Sequence, residues 1–525
     1  MRIEREFAVL AALALLVTVY AAVALSDVAD VGGADPSGYL VMARGMLEGE
    51  GFVTHTVKQY DWIQPEIIGP DYVEPPGASV PIAALFFLFG ESPLVGKLFT
   101  LIAALFIIPL LVYGLARTWE LRPGASLAAG MFALFYPVSF FSHLYALSDD
   151  PMVMWLLAGL LCFFRARGRI RLYALSGVFL SFALMTKYTA AFVWVALGLY
   201  GPWAIWKRSE TGLSLRNLTI VFVVAILVAS PLLGRNIAYF GHPLFTVTAT
   251  QTWTIGYEEP GTKYDMFFWD EGPATLSWAL KEHDLSDLAR KYHHVFKAFI
   301  IEEGLFVLLF LAGLALWRRP QSVFILAVTG IFFAFFLLLN HYEGRYFLLL
   351  HALWSIPIAY LFFRERAGLL FRAAGALFII LLAVFVLSKF TFAEVTPYRD
   401  TEFTHGRLEF AQAVIEIVPP GEPVMSYYPR QTDYLTRHPV LMQLDEDPGT
   451  LLRILNFYNT SYLECGKKSP HLNNDSRFSV VYDSDYDLCR VNWDVVMQVS
   501  PPVPADINVT QDWSISRFRP QVSPK

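Results

Sequence analysis

The residues in this sequence that could do chemistry are ionisable side chains placed at the ends of long apolar runs. Asp35 follows the first run, and Arg44 and Lys58 lie in the same polar segment. Asp149 and Asp150 occupy a short turn before another run, Lys187 separates two runs, Arg235 ends one and Arg345 begins one. Charges at the edge of hydrocarbon cost less than charges at its centre, but they still favour polar surroundings. Carboxylates gathered with several cations beside a bilayer would suit an anionic, phosphate-bearing lipid. Each residue also has a purely structural account. Asp35 before Pro36, and Asp150 before Pro151, have the form of a helix N-cap followed by its first residue. Lys187, Arg235 and Arg345 could extend toward headgroups as anchors. Asp149 stands one residue too early to cap, and independent anchoring does not explain why all of these groups share one location.

The elements that must position them are membrane helices. The chain has 525 residues, of which 55% are hydrophobic and only 16% are Asp, Glu, Lys or Arg, against about 25% in soluble domains. Mean hydropathy is +0.45. Crossing hydrocarbon takes roughly 20 apolar residues, because each backbone amide must be bonded inside the segment. Eleven spans are predicted, at about 7–25, 94–116, 124–141, 151–164, 172–186, 188–206, 217–234, 302–317, 321–339, 346–362 and 370–388. No small-x-small cleavage site follows Leu25, so the first run is expected to be a retained helix rather than a signal peptide. Basic residues cluster in alternate loops, among them Arg165, Arg167, Arg169 and Arg171, and Arg364, Arg366 and Arg372. The positive-inside bias then puts the N-terminus in the cytoplasm and the C-terminus outside.

Three outer segments are long enough to hold structure: about 26–93, 235–301 and 389–525. In the first, Tyr39, Leu40, Ala43 and Leu47 recur at helical spacing within Pro36–Glu48. The polar run Glu282–His294 is expected along the outer interface. The last segment reads as a small α/β domain, with helices at 403–417 and 451–458 and strands at 424–427 and 478–482. The division is therefore a membrane domain over 1–390 and an extracytoplasmic domain over 391–525. Cys465 and Cys489 can pair there if the compartment is oxidising.

Other chemistries find little support. There is no phosphate loop of the GxxxxGK[ST] kind, no dinucleotide glycine signature and no HExxH. Adjacent His293 and His294 point about 100° apart on a helix and do not make a two-ligand face. Asp483-x-Asp485-x-Asp487 lacks the glycine and terminal glutamate of a calcium hand and reads as a solvated acidic loop. No basic patch with interleaved aromatics marks a nucleic-acid partner.

The sequence resembles the GT-C membrane glycosyltransferases of the dolichyl-phosphate-mannose protein mannosyltransferase and ArnT-like superfamily. The resembling pieces are GGADPSGYLVMARGMLEGEGF at 32–52, EPPGASVPIAALFFLFG at 74–90, YALSDDP at 145–151, MTKYTA at 185–190, RNIAYFGHPLF at 235–245 and EGRYFLLL at 343–350. The resemblance implies a GT-C fold of about eleven transmembrane helices and a donor sugar carried on a polyprenyl phosphate. The acceptor would be a hydroxyl of a lipid, protein or glycan, and the membrane a prokaryotic plasma membrane. It also implies roles. Asp35 would lie at the reaction centre as general base. Asp149, with Asp150 as the register alternative, would orient the acceptor or hold a divalent cation with Asp35. Lys187 and Arg345, with Arg235 as a weaker candidate, would bind the donor phosphate. Pro36 stands where some relatives carry a second acidic residue, which weakens any transfer of a protein acceptor. The EPPG segment departs from the commoner pattern, which points to Glu74 as a residue particular to this substrate. Arg44, Lys58, Glu74, Tyr39 and Asp150 are secondary site candidates. A metal requirement stays undecided, since the basic side chains could suffice. The alternative reading is a secondary transporter, although the spans look nearly free of charge at their centres and show no matching halves.

Overall fold

The computed structural model describes residues 4–26, 34–57, 66–137, 145–245, 284–337, 343–388, 402–443, 448–465, 472, 475–482 and 487–493. Arg5–Ala24 forms α1 and Ala34–Glu48 forms α2. Three two-residue strands follow: β1 (Val53–Thr54), β2 (Thr56–Val57) and β3 (Gly69–Pro70). Helices then run as α3 (Ser79–Phe89), α4 (Pro93–Thr118), α5 (Pro123–Leu134), α6 (Asp149–Arg165), α7 (Ile170–Thr186), α8 (Tyr188–Lys207) and α9 (Leu215–Phe240). After these come α10 (Leu285–Leu316), α11 (Gln321–Phe336), α12 (Gly344–Phe363) and α13 (Leu369–Ser388).

Each of the eleven predicted spans overlaps a helix, but the helices differ in reach. Among the described residues, seven are long and apolar enough to cross a membrane: α1, α4, α8, α9, the Ala289–Leu316 part of α10, α12 and α13. At the 1.5 Å rise of a helix, α5, α6, α7 and α11 fall short of the hydrocarbon thickness within their described bounds. The chain is thus a polytopic α-helical membrane protein. Its helices bury one side against each other and leave large apolar residues exposed on the other, including Leu16, Leu227, Leu308 and Leu381. Exposed leucine in that number is costly in water and neutral in lipid.

Two sequence expectations change here. The polar run before 302 does not lie apart from the span. It is the first half of the continuous 32-residue α10, started by a capping box in which Asp284 accepts from the backbone N–H of Asp287 and Asp287 accepts from that of Asp284. The span centres are not charge-free either. Glu303 of α10 is fully buried, accepts from Tyr136 Oη at 2.8 Å and pairs with His351 Nε2 of α12 at 2.7 Å. Partnering inside the bundle is what makes a buried carboxylate tolerable there. Asp483 and Asp485 lie outside the described residues.

On the side opposite α2, Glu4 precedes α1 and accepts from Arg117 of α4 at 2.7 and 3.0 Å and from the Tyr113 hydroxyl. Hydrogen bonds from Arg117 and Tyr113 pull the Glu4 carboxyl from 4.5 down to about 2. A depressed acid pKa means that the pair's stabilisation is complete above 4.5 and is lost as pH falls through that range toward 2. The Glu4→Gln protein is therefore expected to melt below the wild type at pH 7 in detergent. The difference should narrow steadily once pH drops below 4.5, and an unchanging gap would show that ionised Glu4 is not its source.

The C-terminal region begins with α14 (Glu402–Ile417) and continues β4 (Val424–Ser426), α15 (Pro429–Thr436), β5 (Val440–Met442), α16 (Pro448–Phe457), β6 (Tyr462–Glu464), β7 (Phe478–Tyr482) and β8 (Leu488–Val491). Its sheet has six strands in the order β2-β5-β4-β6-β8-β7. The first three pairings are parallel and the last two antiparallel. Leu451, Ile454 and Leu455 of α16 pack with Met425, Leu441 and Leu463 in one core. Phe410 and Val414 of α14 join Val424, Tyr462 and Leu488 in another. A disulfide links Cys465, just after β6, to Cys489 in β8. The edge strand β2 comes from the loop after α2, with Thr56 aligned to Val440 and Val57 to Leu441. That shared sheet puts the C-terminal region and the first loop on one side of the helix bundle.

Candidate functional site

Asp35 lies in the first turn of α2 rather than ahead of it as a cap. The helix holds its place by burying Tyr39, Leu40, Val41 and Ala43 against Ala78, Ile82, Ala83 and Phe86 on and beside α3. The Asp35 carboxylate is about one-third exposed and meets Arg345 of the opening turn of α12, Nη1 to Oδ2 at 3.2 Å. Arg345 also donates through Nε to Glu343 at 2.5 Å. Its guanidinium lies 5.3 Å from the centre of the Tyr346 ring, and Lys187 Nζ lies 5.0 Å from the same ring. An aromatic face attracts cations at such distances, so Tyr346 joins the two positive charges without pairing either.

Lys187 is the extended residue between α7 and α8. Its Nζ donates to Asp149 Oδ1 at 2.6 Å. Asp149 is buried, at 1% exposure, and its Oδ2 finds no hydrogen-bond partner among the described residues. Ser148, and not Asp150, occupies the N-cap of α6, and both aspartates fall in the first turn. Tyr39 donates its hydroxyl to Ser148 at 2.6 Å, which ties α2 to the start of α6. Burial, together with the nearby Glu74 and Asp35 carboxylates, pushes the Tyr39 phenol well above its usual pKa and keeps it a donor. Asp35 with Arg345, and Asp149 with Lys187, therefore form two acid–cation pairs whose cations meet at one ring, that of Tyr346.

The backbone around Lys187 is held by Gly77. Its N–H donates to the Met185 carbonyl at 2.7 Å, and a Cβ on Gly77 would lie 2.5 Å from that same peptide. Only glycine permits so close an approach. The unusual glycine of the EPPG segment thus has a packing reason. Tyr188 contributes from the other direction, accepting from Asn236 Nδ2 at 2.7 Å and so joining α8 to the end of α9.

A second group of charges lies beside the first. Asp71 accepts through Oδ1 from the backbone N–H groups of Val73 and Glu74 at 2.8 and 2.9 Å, which fixes the turn that presents Glu74. Arg430 of α15 reaches in from the C-terminal region, with Nη1 2.8 Å from Glu74 Oε1 and Nη2 3.4 Å from Asp71 Oδ2. It is 1% exposed. Burial alone would lower its pKa; Glu74, Asp71 and the more distant Asp35 offset that and keep the guanidinium charged. Arg235 does not join the Asp35 group through a carboxylate. It donates to the backbone carbonyls of Asp71 at 2.8 Å and Phe52 at 3.3 Å, and so braces the same loop.

Arg44 turns away to a different task. It pairs with Asp433 of α15 at 2.8 Å and donates to the Tyr434 carbonyl at 3.0 Å, docking the C-terminal region on α2. Burial outweighs the pull of Arg44 and pushes the Asp433 carboxyl from 3.8 up to about 6. Lys58 lies outside the described residues. Tyr346, Asp71 and Arg430 went unrecognised in the sequence. The first was visible in the RY pair, whereas Asp71 and the distant arginine gave no local signal. Among the described residues no group of three His, Cys, Asp or Glu side chains is arranged to hold a metal. Asp35 and Asp149 each face a side-chain cation instead.

The sequence profile of the family described as "Dolichyl-phosphate-mannose-protein mannosyltransferase" matches residues 58–237. The undecaprenyl phosphate-alpha-4-amino-4-deoxy-L-arabinose arabinosyl transferase of Erwinia tasmaniensis is 30% identical over 238 residues. That match covers 42% of this chain and 40% of the relative, less than half the length of either. Among solved structures, ArnT from Cupriavidus metallidurans bound to undecaprenyl phosphate aligns with a TM-score of 0.62 at 14% identity, covering 92% of this chain and 97% of that one. The oligosaccharyltransferase AglB from Archaeoglobus fulgidus, in complex with an inhibitory peptide and a dolichol-phosphate, aligns with a TM-score of 0.59 at 12% identity, covering 86% and 69%. The chain thus shares the fold of the ArnT and AglB structures, and over residues 58–237 its sequence is similar to the mannosyltransferase family.

Proposed function

We propose that this protein is an inverting glycosyltransferase that moves a sugar from a polyprenyl-phosphate donor to a hydroxyl acceptor at the non-cytoplasmic membrane face. The observation that carries the reading is the meeting of Arg345 and Lys187 at the Tyr346 ring, each held by a carboxylate, Asp35 and Asp149. A relative is named for an undecaprenyl-phosphate sugar donor, and two structures of the same fold contain a polyprenyl phosphate, which supports the same donor class here.

The acceptor hydroxyl attacks the anomeric carbon from the face opposite the phosphate. A new C–O bond forms, the bond from carbon to phosphate oxygen breaks, its electron pair stays on the phosphate, and the hydroxyl proton passes to Asp35. Negative charge grows on the phosphate as the bond breaks, so cations already in place stabilise the transition state most. Lys187 and Arg345 supply them, and Asp149 keeps Lys187 aimed. Arg345 has a second use. With no donor it rests on Asp35; when phosphate draws it away, the carboxylate is released to act as base. Donor binding and base activation are in this way coupled by one side chain.

The topology that suits this chemistry has eleven crossings, with α5, α6, α7 and α11 completing the bundle, the N-terminus in the cytoplasm and the C-terminal domain, from about residue 391, outside. The Cys465–Cys489 bond fits an oxidising compartment, and a prokaryotic plasma membrane fits the relatives. The acceptor is a lipid, protein or glycan hydroxyl. The test uses purified protein and undecaprenyl-phosphate-linked 4-amino-4-deoxy-L-arabinose and mannose, with product sugar detected on added lipid and glycan hydroxyls. Transfer with release of undecaprenyl phosphate is the expected result. Accumulation of free solute in proteoliposomes, with neither binding of undecaprenyl phosphate nor transfer, would instead favour a transporter.

A further inference from the structure

We propose that Arg430, carried by the C-terminal region, is a positioning residue of the donor-phosphate site: by neutralising Glu74 and Asp71 it keeps Lys187 and Arg345 available to the phosphate. This rests on the polyprenyl-phosphate reading of the same pocket.

The placement of Arg430 calls for more than docking. It sits in α15, whose sequence PRQTDYLT is polar, yet Arg430, Gln431, Thr432 and Asp433 are all buried. Its guanidinium lies against Gly38 of α2, one helical turn beyond Asp35. A Cβ at position 38 would fall 2.2 Å from Arg430 Nη1, so glycine there makes the room. The same side chain then reaches Glu74 at 2.8 Å and Asp71 at 3.4 Å. Nearby, Asp35 and Asp149 already engage Arg345 and Lys187. With Arg430 absent, Glu74 would be a buried acid beside Tyr39 and Asp35 without its arginine. It would compete for the remaining cations and repel the incoming phosphate. Removing a cation 2.8 Å from a buried acid adds negative field at the pocket, and that field is screened far less than at a surface.

Docking itself has another set of contacts. Arg44 with Asp433, the Tyr434 ring over the Arg44 guanidinium at 5.7 Å, and Arg437 with Glu48 and Glu91 hold α15 to α2 and the start of α4. None of these ion pairs includes Asp35 or Glu74, although Asp433 also feels the charge of Arg430. The region can therefore stay attached without Arg430, which is what makes its electrostatic part separable.

The experiment measures the affinity of the full-length protein for undecaprenyl phosphate alone, beside thermal stability in the same detergent. Arg430→Gln should weaken binding at least tenfold. The double variant Glu74→Gln with Arg430→Gln removes both charges and should recover most of that loss. Asp433→Asn should lower stability and leave affinity unchanged. If Arg430→Gln does not fold, Glu74→Gln by itself decides the matter: freeing Arg430 from its acid should tighten phosphate binding, and no change would overturn the proposal. Equal affinity of Arg430→Gln and wild type, or a double variant as weak as the single one, would overturn it as well. A wild-type protein that does not bind undecaprenyl phosphate would instead defeat the donor reading on which the proposal stands.

Discussion

The Asp35→Asn protein is expected to bind undecaprenyl phosphate at least as well as the wild type and to transfer sugar about 10²- to 10⁴-fold more slowly. The two halves of that expectation have different origins. Loss of turnover follows from removing the proton acceptor, because an amide cannot take the proton of the attacking hydroxyl. Retained or tighter binding follows from the 3.2 Å pair with Arg345. Neutralising Asp35 removes the carboxylate that competes with phosphate for that guanidinium. A residue that merely held α2 in place would lose both properties together, and would lower the melting temperature with them. Single-turnover transfer and phospholipid binding, measured on the same preparation, distinguish the cases. Wild-type turnover in the Asp35→Asn protein would remove Asp35 from the role of base.

What was legible in the sequence follows from range. A membrane span is a local signal, since its apolar run must be continuous; each of the eleven predicted runs overlaps a helix, and seven of those helices are long and apolar enough to cross a membrane. The four C-terminal elements predicted from period and turn residues are likewise present as α14, β4, α16 and β7. Elements stabilised from outside were missed. Strand β2 has two residues and exists because Thr56 and Val57 pair with β5 nearly 400 positions away. Helix α15 carries no apolar stripe; its burial is made possible by ion pairs with α2 and the Glu74 loop. A buried polar helix looks like a loop to any hydrophobicity argument.

The candidate site divides in the same way. Asp35, Lys187 and Arg345 drew attention because charge at the end of an apolar run is unusual, and the structure brings them around Tyr346. Arg44 drew attention for the same reason and serves docking instead. Charge placement by itself does not say which partner a side chain will find. Arg430 gave no sign, because a single arginine in a polar segment is commonplace. Its importance lies wholly in the approach of α15 to Gly38 and Glu74.

Lys187→Ala should reduce transfer by about a hundredfold, equivalent to roughly 3 kcal/mol of transition-state stabilisation. It carries a second consequence that must be separated from the first. Asp149 is 1% exposed and Lys187 is its ion-pair partner at 2.6 Å. Truncating the lysine strands a buried carboxylate, at a stability cost of about 3–5 kcal/mol. Lower activity alone would therefore not distinguish a phosphate ligand from a structural counter-ion. Adding Asp149→Asn to Lys187→Ala removes the stranded charge as well and should restore most of the lost stability. Turnover should stay low, because no ammonium is left to meet the growing charge on the phosphate. Asp149→Asn alone should retain a lysine that is charged but less firmly aimed, and so lose less activity than Lys187→Ala. Melting temperature and single-turnover rate across these three variants decide the point. Recovery of both quantities together in the double variant would make the pair structural and leave Arg345 as the phosphate ligand of the two.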